Sequence, residues 1–259
     1  MPLAYDRQGS GPPLLLIHGI GSRRGVWKPV IEQLAGERET VAIDLPGFGD
    51  SPPLPPGTEP TVAALTDAVE AFVDEQGLDR PDVVGNSLGG GIALELGRRG
   101  AVRSVTALSP IGFWTPAERR AGAVMLSLSR LLARHARPQA LALTRSELGR
   151  RAAFNLFYGK PGRKDPDELA ADVIGLGSAP GWDATLPHTR RHVFHDGDEL
   201  RLPVTIAWGT KDRLLRPRQA ERARAAIPAA RHVPLPDCGH VPMSDDPEGI
   251  AALLRISVA

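Results

Sequence analysis

Asp82-Val83-Val84-Gly85-Asn86-Ser87-Leu88-Gly89-Gly90-Gly91-Ile92 decides how the rest of this 259-residue chain is read. Val83 and Val84 are β-branched and mark the end of a buried strand. From Leu88 the apolar positions fall at 88, 92 and 96, with Ala93 and Leu94 between them, which is helical spacing. Ser87 therefore occupies a turn from strand to helix. Three glycines open that helix, although each costs up to about 1 kcal/mol relative to alanine. A serine on so sharp a turn crowds its neighbours unless the positions two before and two after it lack side chains. Gly85 and Gly89 meet that need and leave a fixed hydroxyl exposed at the edge of a sheet.

Outward from this elbow the chain alternates strand and helix. Leu14–His18 is a continuous apolar run that suits a strand buried on both faces, preceded by one short strand over Leu3–Arg7. A helix is expected over Trp27–Leu34, a buried strand over Thr40–Leu45, a helix over Val62–Gln76 and a strand over Arg103–Leu108. The alternation predicts an α/β fold with a mostly parallel central sheet flanked by helices. Between Pro110 and Pro203 the rhythm is interrupted for 92 residues, far more than one crossover helix. An inserted helical subdomain is expected there, with helices over Pro116–Ala136, Pro138–Phe157 and Pro166–Leu176. Pro203–Trp208 resumes the sheet, followed by a helix over Arg216–Ile227, a strand over Arg231–Leu235 and a closing helix over Ile250–Ile256. Residues 1–110 and 203–259 are thus read as the core and 111–202 as a helical cap.

The formal net charge is +1, which gives no footprint for nucleic acid or membrane, so neither partner is expected. A single cysteine, Cys238, excludes an internal disulfide and reads as a buried small hydrophobe. The first residues lack a signal-peptide profile, and no apolar run approaches the roughly 18 residues of a membrane helix. A soluble, cytoplasmic protein is expected. No close His/Cys/Asp/Glu cluster has metal spacing, so the expectation is a small-molecule substrate with no metal and no cofactor.

Ser87, Asp212 and His240 fall on loops after three separate strands. In a parallel sheet such loops share one edge, where ligands bind outside the carboxyl ends of the strands. A serine hydroxyl is a poor nucleophile at neutral pH and needs an adjacent base. Imidazole can take its proton and return it to a leaving group. A carboxylate on the other ring nitrogen fixes the tautomer and stabilises the imidazolium. The loop His18-Gly19-Ile20-Gly21 follows the first long strand, and the backbone N–H groups of Ile20 and Leu88 are the candidate oxyanion donors.

Five segments carry a resemblance: His18-Gly19-Ile20-Gly21, Asp44–Ser51, Gly85–Gly90, Trp208-Gly209-Thr210-Lys211-Asp212 and Gly239-His240-Val241-Pro242. In type and order they resemble the marker motifs of the α/β-hydrolase fold superfamily, over about residues 3–110 and 203–257. The resemblance implies the α/β-hydrolase fold with a helical cap inserted after the strand ending near Leu108, and a serine nucleophile at Ser87. It also implies structural support by His18 and a loop-shaping role for Asp44. One departure is visible: the family usually places two antiparallel strands before the His-Gly strand, and here only one fits.

The cap is expected to roof the cleft, with Phe113, Trp114, Met125, Leu128, Phe154, Phe157 and Trp182 as candidate substrate-binding residues. Arg119, Arg120, Arg130 and Arg134 read as a solvated helix face, and His188, His192, His195 and His232 as solvated. The leading functional expectation is a cofactor-free hydrolase of small to medium, mostly apolar carboxylic esters, working through Ser87, His240 and Asp212 and an acyl-enzyme. The alternatives are hydrolysis of a carbon–carbon bond in a vinylogous diketo acid, whose enzymes resemble this chain in having Asn before the serine, and acyl transfer to an alcohol or peroxide. From another class, a non-catalytic ligand receptor on the same scaffold is the remaining reading.

Overall fold

The computed structural model describes residues 2–257. Its chain order is β1 (Tyr5–Gln8), β2 (Pro13–Ile17), α1 (Lys28–Gln33), β3 (Glu39–Ile43), α2 (Val62–Glu75), β4 (Asp82–Asn86), α3 (Leu88–Arg98) and β5 (Ser104–Leu108). Five helices follow: α4 (Pro116–His135), α5 (Arg137–Thr144), α6 (Glu147–Ala153), α7 (Pro166–Ser178) and α8 (Trp182–Thr189). The chain closes with β6 (Val204–Gly209), α9 (Arg218–Ala226), β7 (Arg231–Leu235), α10 (Pro242–Asp245) and α11 (Pro247–Ser257).

The seven strands form one sheet in the order β1-β3-β2-β4-β5-β6-β7, antiparallel only at the β1–β3 edge. Alternation along β2 explains why its run of leucines reads as buried on both faces. Leu15 and Ile17 join the cluster that packs under α2 and α3, whereas Leu14 and Leu16 face α1 and α11. Because β2 to β7 are parallel, the loops after β2, β3, β4, β6 and β7 emerge at one rim. This is the α/β-hydrolase architecture, with one antiparallel strand, β1, ahead of the His-Gly strand among the described residues.

Several elements differ from expectation. The first strand lies at Tyr5–Gln8 rather than Leu3–Arg7, because Leu3 turns inward to the core. A 3₁₀ turn over Arg24–Trp27 precedes α1. The helix expected over Pro138–Phe157 is two, since Ser146 caps a new start by accepting the Gly149 N–H at 3.0 Å. Helix α8, which contains Pro187, is not among the expected helices.

Thr115 and Glu118 form a capping box at the start of α4. The Glu118 carboxylate also receives Arg218 and Arg222 from α9, so this corner of the helical segment is pinned to the core. Burial opposes ionisation of Glu118, but the Thr115 N–H and the two guanidinium groups overcome it and hold its pKa at about 2. A carboxyl depressed in the folded state stabilises above its unfolded pKa and loses that contribution as pH falls towards the folded value. Glu118→Gln is therefore expected to lower stability at pH 7 by up to about 3 kcal/mol and to flatten the decline between roughly pH 4.5 and 2. Chemical denaturation across that range measures it, and parallel curves for both proteins would contradict it.

Candidate functional site

Ser87 joins β4 to α3 with φ 57° and ψ −113°, a conformation that costs a non-glycine residue on the order of 1–3 kcal/mol. The elbow closes only because its neighbours lack side chains. A Cβ on Gly85 would lie 2.0 Å from the Gly89 carbonyl oxygen, and one on Gly89 would lie 2.3 Å from the Ile17 oxygen. A Cβ on Gly19 would fall 3.1 Å from Ser87 Cβ, so the His18–Gly21 loop runs directly beside the serine. Leu88 opens α3, which leaves its N–H without an intrahelical partner, and both Leu88 and Ile20 border a cavity that reaches Ser87.

Asp212 and His240, buried like Ser87, come from the loops after β6 and β7. His240 Nδ1 lies 2.8 Å from Asp212 Oδ2. Asp212 Oδ1 accepts the N–H groups of Leu214 at 2.9 Å and Leu215 at 2.8 Å, which aims the other oxygen at the imidazole. With Nδ1 engaged, Nε2 is the nitrogen left for the cavity that His240 and Ser87 both line. Among the described residues no hydrogen bond joins Ser87 to His240. The neighbouring Lys211 N–H donates to the Cys238 oxygen at 2.8 Å and Lys211 Nζ pairs with Asp237 at 2.7 Å, tying the two loops together.

Two residues that sequence reasoning did not assign hold the His240 segment. Asn86 Nδ2 donates to the His240 carbonyl at 2.9 Å and to the Leu108 carbonyl at 3.1 Å, from the position before Ser87. The Asp245 carboxylate accepts three backbone N–H groups, from Gly239 at 2.7 Å and from Gly159 and Lys160 at 2.8 Å each. Burial raises its pKa, with those three bonds opposing the rise. Val241 N–H adds a bond to the Phe157 oxygen at 3.0 Å. The loop bearing His240 is thus stitched to the 157–160 segment, which also walls the cavity.

That cavity has a volume of about 270 Å³ and lies between the strand ends and helices α4 to α7. Of the expected substrate-binding residues, Phe154 and Phe157 line it, and Trp114 lines a smaller space of about 30 Å³ on another side of Ser87. Phe113 instead packs on Phe194 with ring centroids 6.0 Å apart. Trp182 lies against Gly21 with the Arg130 guanidinium 5.5 Å above its ring. Met125 packs against the core beside the cavities, and Leu128 is 52% exposed. Beside Phe154 and Phe157, the lining comes from Leu126, Ser129, Ala133, Ala136, Ala140 and Leu143, a run spaced by three and four residues through α4 and α5.

His18 is fully buried and uses both nitrogens. Nδ1–H donates to the Gly19 oxygen at 2.7 Å and Nε2 accepts the Leu45 N–H at 3.0 Å, which requires the neutral ring that burial favours. Asp44 shapes its loop by accepting the Arg24 N–H at 2.6 Å and the Asp50 N–H at 2.9 Å. Buried Cys238 has a thiol pKa pushed up to about 12 by burial. One expectation of solvation fails outright, since Arg130 is buried against Asp183 at 2.5 Å; Arg119, His188, His192 and His232 are half-buried, whereas Arg120, Arg134 and His195 are exposed.

The sequence matches the model of the alpha/beta hydrolase family over residues 14–253, and the chain belongs to that family. It is 30% identical to the dihydrolipoyllysine-residue acetyltransferase component of the acetoin cleaving system of Cupriavidus necator, over 97% of this chain and 65% of that protein. This chain therefore spans just under two thirds of that relative. It is 28% identical to a pimeloyl-[acyl-carrier protein] methyl ester esterase of Neisseria meningitidis, over 93% of this chain and 90% of that one. Among solved structures, a thermophilic esterase from Thermogutta terrifontis superposes with a TM-score of 0.77 at 22% identity, covering 99% of this chain and 94% of that one.

Asp245→Asn leaves one oxygen for three N–H groups and turns an amide donor towards them. Each unpaired buried donor costs about 1–3 kcal/mol, so a loss of stability in that range is expected. Urea denaturation with the midpoint unmoved would contradict the assignment.

Proposed function

We propose that the chain is a serine hydrolase of small to medium, mostly apolar carboxylic esters. The observation that carries this reading is the 2.8 Å His240–Asp212 contact beside a cavity shared with Ser87 on its elbow. Ser87 Oγ attacks the ester carbonyl while His240 Nε2 takes its proton, and Asp212 holds the tautomer and balances the imidazolium. The carbonyl oxygen becomes anionic between the N–H groups of Ile20 and Leu88. As that intermediate collapses, His240 returns the proton to the departing alcohol and Ser87 keeps the acyl group. Water, deprotonated by His240, then releases the acid and restores the hydroxyl.

The cavity of about 270 Å³ sits just below the usual range for ligand pockets, roughly 300–1,000 Å³, which supports a modest acyl group. Its walls are largely leucine, alanine and phenylalanine, so desolvating an apolar chain supplies the binding energy. Ser87→Ala is expected to lower kcat on a nitrophenyl ester by about 10⁴-fold or more and to abolish the acylation burst. Turnover retained within tenfold would refute the nucleophile. In the native protein, short and medium acyl chains are expected to turn over faster than long ones.

A second reading has its own observation. Arg119 and Arg190 line the smaller space at Ser87 beside Ile20 and Leu88, where a substrate carboxylate would meet them. That arrangement suits carbon–carbon bond hydrolysis of a vinylogous diketo acid. A chromogenic diketo acid turned over faster than every ester, and lost on Arg190→Met, would favour it. Inert diketo acid would remove it.

A further inference from the structure

The net charge of +1 conceals a strong asymmetry. Helices α4 to α6, residues 116–153, carry eight arginines against two glutamates, a formal +6, so the remaining residues together are −5. On the same segment, Val124, Leu128 and Leu131 recur at helical spacing along α4 and are 66%, 52% and 54% exposed. Arg120 and Arg134 are exposed on the flank of that stripe and have no acidic partner among the described residues. At its other flank stands Leu132, which is 53% exposed and also lines the large cavity, as does Leu143, 41% exposed on α5. At Leu132 and Leu143 the exposed apolar face therefore borders the apolar cavity that reaches Ser87.

We propose that this outer face of α4 and α5 docks on an anionic lipid surface, and that the protein draws apolar esters from it through the opening at Leu132 and Leu143. The proposal rests on the ester-hydrolase reading for what happens at Ser87, but the docking does not depend on it. An exposed apolar stripe edged by arginine is the pattern of a helix lying in a membrane interface, with leucines among the acyl chains and guanidinium groups at the phosphates. Among the described residues no helix is long and apolar enough to cross a membrane, and the proposed contact is made by this helix face. A second copy of the chain is a poor occupant, since a symmetric pairing would set the same arginines against one another. An acidic protein would satisfy the arginines, yet it gives no reason for the leucines to run into the cavity mouth.

The test is partitioning of the Ser87→Ala protein onto vesicles of phosphatidylcholine alone or with 30% phosphatidylglycerol, at about 0.1 M salt. The expected result is at least tenfold tighter binding to the anionic vesicles, weakened by raising the salt. Val124→Asp with Leu131→Asp, and separately Arg120→Glu with Arg134→Glu, are each expected to lower that binding at least tenfold. With Ser87 intact, both double variants should hydrolyse a soluble nitrophenyl ester within about twofold of the native rate, which also shows that they fold. Equal binding to both vesicle types, no binding, or binding unaltered in the double variants overturns the proposal. So does capture by an acidic carrier protein without vesicle binding. Failure of the ester-hydrolase reading appears separately, as loss of soluble-ester turnover with partitioning intact.

Discussion

An imidazole can take a proton from a neighbouring hydroxyl only when one ring nitrogen is unprotonated and faces it. The 2.8 Å contact between His240 Nδ1 and Asp212 Oδ2 serves the first condition, because a carboxylate favours the proton on Nδ1 and leaves Nε2 for the cavity that Ser87 also lines. Much of the surrounding structure serves to keep it in place. Asp212 is aimed by the N–H groups of Leu214 and Leu215, whose loop is closed by Trp208 donating to the Leu215 oxygen at 2.7 Å. His240 is held from one side by Asn86 and from the other through Asp245 and Val241. His18 shows the contrasting case: with both nitrogens occupied, its ring has none left for chemistry.

The sheet and the elbow were legible because their signals are local. A strand buried on both faces must be apolar at every position, and a serine with positive φ needs glycine where its neighbours meet backbone. Both conditions are written in Leu14–Ile17 and in Gly85 and Gly89. The loops bearing Asp212 and His240 could be placed on one rim because a parallel sheet leaves no other option.

The helical segment over the rim was harder to read. Its break at Ser146 and the helix containing Pro187 depend on a side-chain cap and on tertiary packing that override propensity. Aromatic size misled the choice of lining residues: Phe113 and Trp182 became core, filling space against Phe194 and Gly21. On the α4 and α5 side the cavity is bounded by small and medium residues, while Phe154, Phe157 and Tyr158 wall it elsewhere. The spacing of Leu126, Ser129, Ala133, Ala136, Ala140 and Leu143 was present in the sequence as a periodic signal. A near-zero net charge likewise conceals a basic helical segment, residues 116–153, set on an acidic remainder.

Covalent labelling with a fluorophosphonate, followed by mass spectrometry of the digested protein, tests most directly whether Ser87 is an activated alcohol. The account predicts one adduct per chain, on Ser87, that fails to form in His240→Ala. Labelling at another residue, or no labelling of the folded native protein, would contradict it.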